Sequence, residues 1–300
     1  MGTASPQEPQ NEALLGAVGA QRELLGRKGN LMTASTRTHS AARRTGLRGL
    51  VGKVVVVAGG ATGIGAATAA RLADEGCLVV IGDLAIDTAR RTADDIVTNG
   101  GTAGAVAFDL AEPDSVAALF ETATTTHGGV DAVFAVGADM GVIHADTNVV
   151  DIDLEVWDRV MTVNLRGYVA TMKHAIPRLL DRGGGAIVNM SSAAAFQGEP
   201  TRPAYATAKA GIGALTRHIA SRWGKDGIRC NAVAPGFTAT EAIQSMPQWP
   251  DLRAAALNRI RAPRVGAPAD VAGLVTFLLS QDGEWINGQV INIDGGTILR

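Results

Sequence analysis

The chain runs to 300 residues, of which 46% are hydrophobic and 19% charged: long enough for one large core or two small ones, and too apolar for a disordered polypeptide. With 27 Lys and Arg against 29 Asp and Glu the formal net charge is -2, so the bulk field offers nothing to attract a nucleic acid or an anionic membrane. No apolar run approaches the ~18 residues of a membrane span, and Cys77 and Cys230 stand apart, with no CxxC or Cys/His cluster to suggest a disulfide framework or a zinc site. These features predict a soluble, cytoplasmic protein with reduced core cysteines, no metal, and no nucleic-acid or membrane partner.

Charge is spread unevenly. Residues 1–50 hold seven basic and three acidic residues, or +4, which leaves 20 against 26, or -6, for the rest. No acidic residue falls between Leu24 and Ala73, and 33–48 is rich in Ser, Thr and Arg with almost nothing apolar to bury. Residues 1–50 therefore read as a disordered basic extension, or as leader codons ahead of a true start at Met32; a transit peptide or an anion-binding arm is the functional alternative. Within it Leu14, Leu15, Val18 and Leu25 lie near helical spacing, which allows a short helix over 12–27.

From Lys53 onward short Val- and Ile-rich runs alternate with helix-length segments. The runs cover 54–58, 78–81, 103–108, 132–136, 186–190, 228–233 and 290–293. Unbroken apolar runs of this length suit strands covered on both faces, and the segments between them are long enough for helical crossovers. The reading is an α/β fold: one doubly wound, Rossmann-type domain over 51–300, with a seven-stranded parallel sheet and helices on both faces.

Directly after the first run comes Gly59-Gly60-Ala61-Thr62-Gly63-Ile64-Gly65, and 66–73 then reads as a helix. A phosphate suits such a turn because the missing side chains let the backbone approach and the free N–H groups of the helix start point at the anion. The spacing is G-x-x-x-G-x-G, and Thr68 stands where the last glycine of a G-x-G-x-x-G run from Gly63 would fall. Asp83 ends the second run 20 residues after Gly63, where a carboxylate can accept from both ribose hydroxyls of an adenosine. This favours NAD over NADP: a 2′-phosphate would set like charges together, and no Arg or Lys lies between Ala73 and Asp87 to offset them. Asp109, with Leu110 beside it, ends the third run on the adenosine side; its carboxylate either holds the adenine amino group or caps the helix that starts near Pro113.

Only two tyrosines occur, Tyr168 and Tyr205. The second opens Tyr205-Ala206-Thr207-Ala208-Lys209 on a helix running to about Trp223, so phenol and ammonium share a face. A cation beside a phenol favours the phenolate, which predicts a lowered Tyr205 pKa and proton exchange near neutral pH. Thirteen residues upstream, past the run 186–190, Ser192 sits at the carboxyl end of the sheet and is placed to donate to a substrate carbonyl oxygen. Asn164 falls mid-helix, where Asn needs a reason, and a water-mediated link to Lys209 supplies one.

The set Gly59-x-x-x-Gly63-Ile64-Gly65, Asn164, Ser192, Tyr205-x-x-x-Lys209, Asn231-Ala232-Val233-Ala234-Pro235-Gly236 and Asp294-Gly295-Gly296 resembles the short-chain dehydrogenase/reductase family over 53–297. The resemblance implies an NAD(P)-dependent redox reaction between an alcohol and a carbonyl. It makes Tyr205 the general acid/base, has Ser192 orient the carbonyl, and has Lys209 lower the tyrosine pKa and bind the nicotinamide ribose. Asn164 would hold a water of the proton relay, and Thr238, just beyond Pro235 and Gly236, the nicotinamide carboxamide. Ala58 stands where the family usually has Thr, and Ala135-Val136-Gly137-Ala138 where it has Asn-Asn-Ala-Gly, which puts the tie between the central strands in question.

The segments that build the family's substrate pocket are here 193–196, Met140, Val142, Phe237, Ile243, Met246 and Trp249. They are mostly apolar, which suggests a lipophilic secondary alcohol or ketone, alicyclic or steroid-like, although Arg202 could bind an acid. His144 falls in the same region and could touch substrate; His174 and His218 read as ordinary helix residues. The resemblance also implies a homotetramer or homodimer through the helices that carry Asn164 and Tyr205. A nucleotide-binding regulator that has lost turnover, and an epimerase, dehydratase or enoyl reductase using the same cofactor, are the alternatives.

Overall fold

The computed structural model describes residues 46–299. The helix expected over 12–27 lies outside them. Gly46 to Leu50, expected within the solvated extension, instead belong to the folded body. Leu50 is buried, the Leu47 N–H donates to Glu75 Oε2 at 2.8 Å, and Gln281 donates to the Arg48 carbonyl at 2.9 Å.

All seven expected strands form. They are β1 (Val54–Ala58), β2 (Leu78–Asp83), β3 (Thr102–Ala107), β4 (Ala132–Ala135), β5 (Gly185–Met190), β6 (Ile228–Pro235) and β7 (Val290–Ile293). They pair in parallel in the order β3-β2-β1-β4-β5-β6-β7. Every residue of β1 and β4 is buried, as an apolar run without alternation requires in a sheet covered on both sides.

Helices α1 (Gly63–Asp74), α2 (Ile86–Thr98) and α9 (Pro268–Leu279) cover one face. The other carries α3 (Pro113–His127), α4 (Leu154–Met161), α5 (Gly167–Asp181) and α6 (Pro203–Trp223). Short helices α7 (Glu241–Gln244) and α8 (Trp249–Arg259) follow β6. From β3 at the sheet edge the chain crosses to β4 on the far side of β1, and the reversal opens a crevice at the carboxyl ends of β1 and β4, where such folds take their ligands. No helix among the described residues is long and apolar enough to cross a membrane.

Candidate active site

The glycine turn lies at one lip of that crevice. Gly59 holds φ 105, and a Cβ there would sit 2.4 Å from the backbone of Gly137; a Cβ on Gly65 would sit 2.1 Å from the Gly59 carbonyl oxygen. The turn is therefore folded tightly under the start of α1, with room only for backbone. Thr62 flanks α1 and is exposed, with no side-chain bond to the first N–H groups, which stay available to an anion. Ile64 packs on the core, and Gly63 faces the methyl of Thr240, so the turn meets the segment after β6.

Asp83 closes β2 half-buried. Its Oδ2 accepts from the Ala61 N–H at 2.9 Å and its Oδ1 from Ala85 at 3.0 Å, which ties it to the glycine turn. Asp109 Oδ1 accepts from the Ala111 N–H at 2.8 Å and its carbonyl from Glu112. It shapes the turn before α3, whose flanking residue is Glu112, so of the two roles open to Asp109 the helix cap is not formed. Leu110 is buried, with its side chain wedged against Gly137 and Gly167.

The residues that replace the expected asparagines after β4 still tie the central strands, through backbone alone. Val136 and Gly137 both donate N–H groups to the Ala58 carbonyl, at 2.9 and 2.8 Å, and the Tyr168 hydroxyl donates to the Gly137 carbonyl at 3.1 Å.

Ser192, Tyr205 and Lys209 converge between β5 and α6. The Ser192 hydroxyl accepts from the Ala194 N–H at 3.2 Å and acts to lower the pKa of the Tyr205 phenol. Lys209 is 1% exposed; its Nζ donates to the Met190 carbonyl at 3.0 Å and lies over two phenol rings, 5.2 Å from the centroid of Tyr168 and 5.7 Å from that of Tyr205. Burial without a carboxylate partner pushes its pKa down from 10.5 to about 7. The expected lowering of the Tyr205 pKa by Lys209 is not found: burial raises the phenol, opposed by the Ser192 hydroxyl and then by the charge of Arg202. The reason is geometric, since the ammonium lies over the ring face and is itself desolvated.

Asn164 is buried in a π turn (Thr162–Arg166) between α4 and α5, in place of the regular helix expected there. Such a widened turn is common at functional sites because it redirects one side chain without ending the helix. Its Oδ1 accepts from the Asp139 N–H at 2.7 Å and its Nδ2 donates to the Asp139 carbonyl at 3.3 Å. Pro235 ends β6, the Gly236 N–H donates to Ile293, and Thr238 pairs with Gly266 while its hydroxyl donates to the Gly236 carbonyl at 3.2 Å.

A family model described as enoyl-(acyl carrier protein) reductase matches residues 59–297. A probable short-chain type dehydrogenase/reductase of Bradyrhizobium diazoefficiens is 43% identical over 83% of this chain and 88% of its own length. The chain belongs to the short-chain dehydrogenase/reductase family. Another relative, the cis-4-hydroxycyclohexanecarboxylate dehydrogenase of Sinomonas cyclohexanicum, is 37% identical over 81% of this chain and 96% of its own. Among solved structures, a 7α-hydroxysteroid dehydrogenase complexed with NADH and 7-oxo glycochenodeoxycholic acid superposes with a TM-score of 0.77 at 28% identity, covering 84% of this chain and 96% of that one.

Within this short-chain dehydrogenase/reductase, the structure adds residues that motif reading passes over. Asp139 joins Asn164 to Arg159, whose Nε donates to Asp139 Oδ2 at 2.8 Å. Asp146, 1% exposed, accepts from the N–H groups of Ala204 and Tyr205. Both aspartates sit in a loop without local periodicity and find partners 20 to 59 residues away, so no spacing pattern announces them. Of the apolar residues expected to line the pocket, Val142 instead packs with Val160, Ala204 and Ala208. Phe237 stacks on Trp249 with ring centroids 6.3 Å apart. His144 is exposed, while His174 is half-buried with its pKa lowered by that burial.

Proposed function

We propose that this protein is an NAD-dependent dehydrogenase that interconverts a lipophilic secondary alcohol, of alicyclic class, and its ketone. The observation that carries the reading is the convergence of the Tyr205 phenol with a buried Lys209 amine 5.7 Å from its ring centroid that no carboxylate neutralises, beside Ser192. In support, two relatives named above are dehydrogenases of a hydroxycyclohexanecarboxylate and a hydroxysteroid, and the second is complexed with NADH.

The residues present fit a dinucleotide. The tight glycine turn at Gly59 and Gly65 lies directly ahead of α1, whose start has N–H groups that no side chain caps. Gly59, Thr62, Gly63, Ile64 and Gly65 would hold the pyrophosphate, Asp83 the adenosine ribose, and Asp109 and Leu110 would flank the adenine. Lys209 would hold the nicotinamide ribose, and Pro235, Gly236 and Thr238 the carboxamide. When bound, the nicotinamide ring supplies or accepts a hydride. The charge on Asp83, with no basic residue from 74 to 86, favours NAD over NADP.

Tyr205 holds the proton on its phenol oxygen. Its raised pKa keeps it protonated at neutral pH, ready to donate to a ketone oxygen, and alkaline pH frees it to accept a proton from an alcohol. Ser192 Oγ orients the substrate oxygen and stabilises charge growing there. Lys209 places a positive charge beneath the phenol, and Asn164 would steady a water between that charge and solvent. Met140, Phe196 and Met246, in the segments expected to form the pocket, are 50%, 39% and 45% exposed, and Arg202 is paired with Glu199, which supports a substrate with a large apolar face.

Two buried free thiols accord with a reducing, cytoplasmic setting. Exposed Leu154 and Val169 beside the groove at Met161 and Leu165 support self-association as a homotetramer or homodimer, which a monomeric mass by light scattering would refute.

The test is titration with NADH by fluorescence, then assay of secondary alcohols, with Tyr205→Phe as comparison. The expected result is NADH binding by both proteins and turnover reduced about 100-fold or more in the variant. Turnover that survives in Tyr205→Phe sinks the mechanism, and binding without turnover of any alcohol favours a regulator. The description carried by the matched family model favours a second reading, reduction of an enoyl thioester, which oxidation of NADH by crotonyl-coenzyme A alone would support.

A further inference from the structure

Helix α6 begins in an unusual way. Arg202, its flanking residue, holds φ 67 and ψ 45, and it has the one positive φ of a non-glycine residue among the described residues. That conformation costs an L-residue about 1–2 kcal/mol, so the surroundings must hold it. The Arg202 N–H donates to the carbonyls of Asp146 and Thr147, at 2.9 and 2.8 Å, and its guanidinium pairs with Glu199. Pro203 brings no N–H, so the first helical donors are those of Ala204 and Tyr205. Both go to one buried carboxylate: Ala204 to Asp146 Oδ1 at 3.1 Å and Tyr205 to Oδ2 at 2.8 Å. No side chain within the helix or its flank does this work, and a negative charge at the positive end of a helix is favourable.

We infer that Asp146 is a positioning residue for the phenol of Tyr205, which it aims by holding the helix start, and the backbone of Tyr205 itself, against the loop after β4. The same loop is fixed again seven positions earlier, where Asn164 accepts the Asp139 N–H. The span 139–146 is thus anchored at one end to the Asn164 turn and at the other to the helix of Tyr205 and Lys209. The hydrogen bonds of Asp146 go to the start of α6 and to its own loop, not to the glycine turn or Asp83, so losing it should misplace the phenol and leave dinucleotide binding intact.

The inference rests on Tyr205 being the proton-transfer group. Its test uses the full chain with Asp146→Ala, Asp146→Asn and Tyr205→Phe, assayed with NAD and the fastest secondary alcohol of a panel that includes cyclohexanol. Thermal melting and NADH titration are run alongside. Asp146→Ala is expected to lower kcat about 100-fold, since small displacements of a reacting group carry such penalties. Its KM and NADH affinity should stay within about threefold, as a loss confined to the chemical step requires. Asp146→Asn keeps one acceptor for the Tyr205 N–H and should recover about tenfold of the lost rate.

A lower melting temperature with wild-type kcat in Asp146→Ala would make the carboxylate a structural cap only and overturn the inference, as would equal losses in both variants. Should Asp146→Ala fail to fold, Asp146→Asn decides alone: a kcat about tenfold down supports the inference, and a wild-type kcat overturns it. Full activity in Tyr205→Phe, or no wild-type turnover of any alcohol, removes the reading beneath it. Loss in Tyr205→Phe beside a normal Asp146→Ala removes this inference alone.

Discussion

Replacing Lys209 with Met should abolish turnover and stabilise the protein. The ammonium is 1% exposed, and its displacement from 10.5 to about 7 penalises the charged form by about 5 kcal/mol. Methionine removes that penalty at similar length. Losing the bond to the Met190 carbonyl takes back about 1–3 kcal/mol, so at pH 7 the variant should gain roughly 2–4 kcal/mol. The sign can be followed with pH. Between pH 7 and 10.5 the unfolded chain keeps a proton on this amine that the folded chain releases, so stability rises across that window. Burial holds the Cys77 and Cys230 thiols up at about 12 from an ordinary 9.0. Above pH 9 the unfolded chain therefore loses thiol protons that the folded chain keeps, and stability falls. Wild-type stability should climb by about 1–2 kcal/mol from pH 7 to a maximum near pH 9, while Lys209→Met should fall by up to about 1 kcal/mol over the same interval as the unfolded thiols begin to ionise. Urea unfolding followed by circular dichroism, without nucleotide and at fixed protein concentration, measures both. Parallel curves for the two proteins, or a variant less stable at pH 7, would refute the account of Lys209 as an unneutralised buried charge.

Gly65→Ala would put a methyl 2.1 Å from the Gly59 carbonyl oxygen and 2.9 Å from Gly60 Cα, so the turn itself must move; a loss of about 1–3 kcal/mol and markedly weaker NADH binding are expected. Wild-type melting and NADH affinity in that variant would show that the turn has slack the distances deny. Asp83→Asn keeps an acceptor for the Ala61 or Ala85 N–H while removing the charge, and should shift the ratio of kcat/KM for NAD over NADP toward NADP by about tenfold. An unchanged ratio would mean that selectivity lies elsewhere.

The strands were legible in sequence because each is a short apolar run buried on both sides, and their limits moved by only one or two residues. Asp83 and Pro235 extend β2 and β6, where polar or imino residues do not look like strand. Tyr205, Lys209 and Ser192 were legible because residues four apart on a helix, or just past a strand end, meet by local geometry. Charge balance was not: spacing places Lys209 beside the phenol but says nothing of how thoroughly both are desolvated, and that decides the direction of each pKa. Asp146 and the left-handed Arg202 were invisible for a related reason. Their partnership spans a loop of no repeating pattern and exists only once α6 has docked.

The bond pattern at Ala58 bears on how this lineage can drift. Because two main-chain amides, and no amide side chains, bridge β1 to the stretch after β4, positions 135 and 136 are released to vary among compact aliphatics. Position 59 carries the opposite burden: a substituent there would meet the Gly137 backbone at 2.4 Å, so divergence should bypass it while 135 and 136 wander.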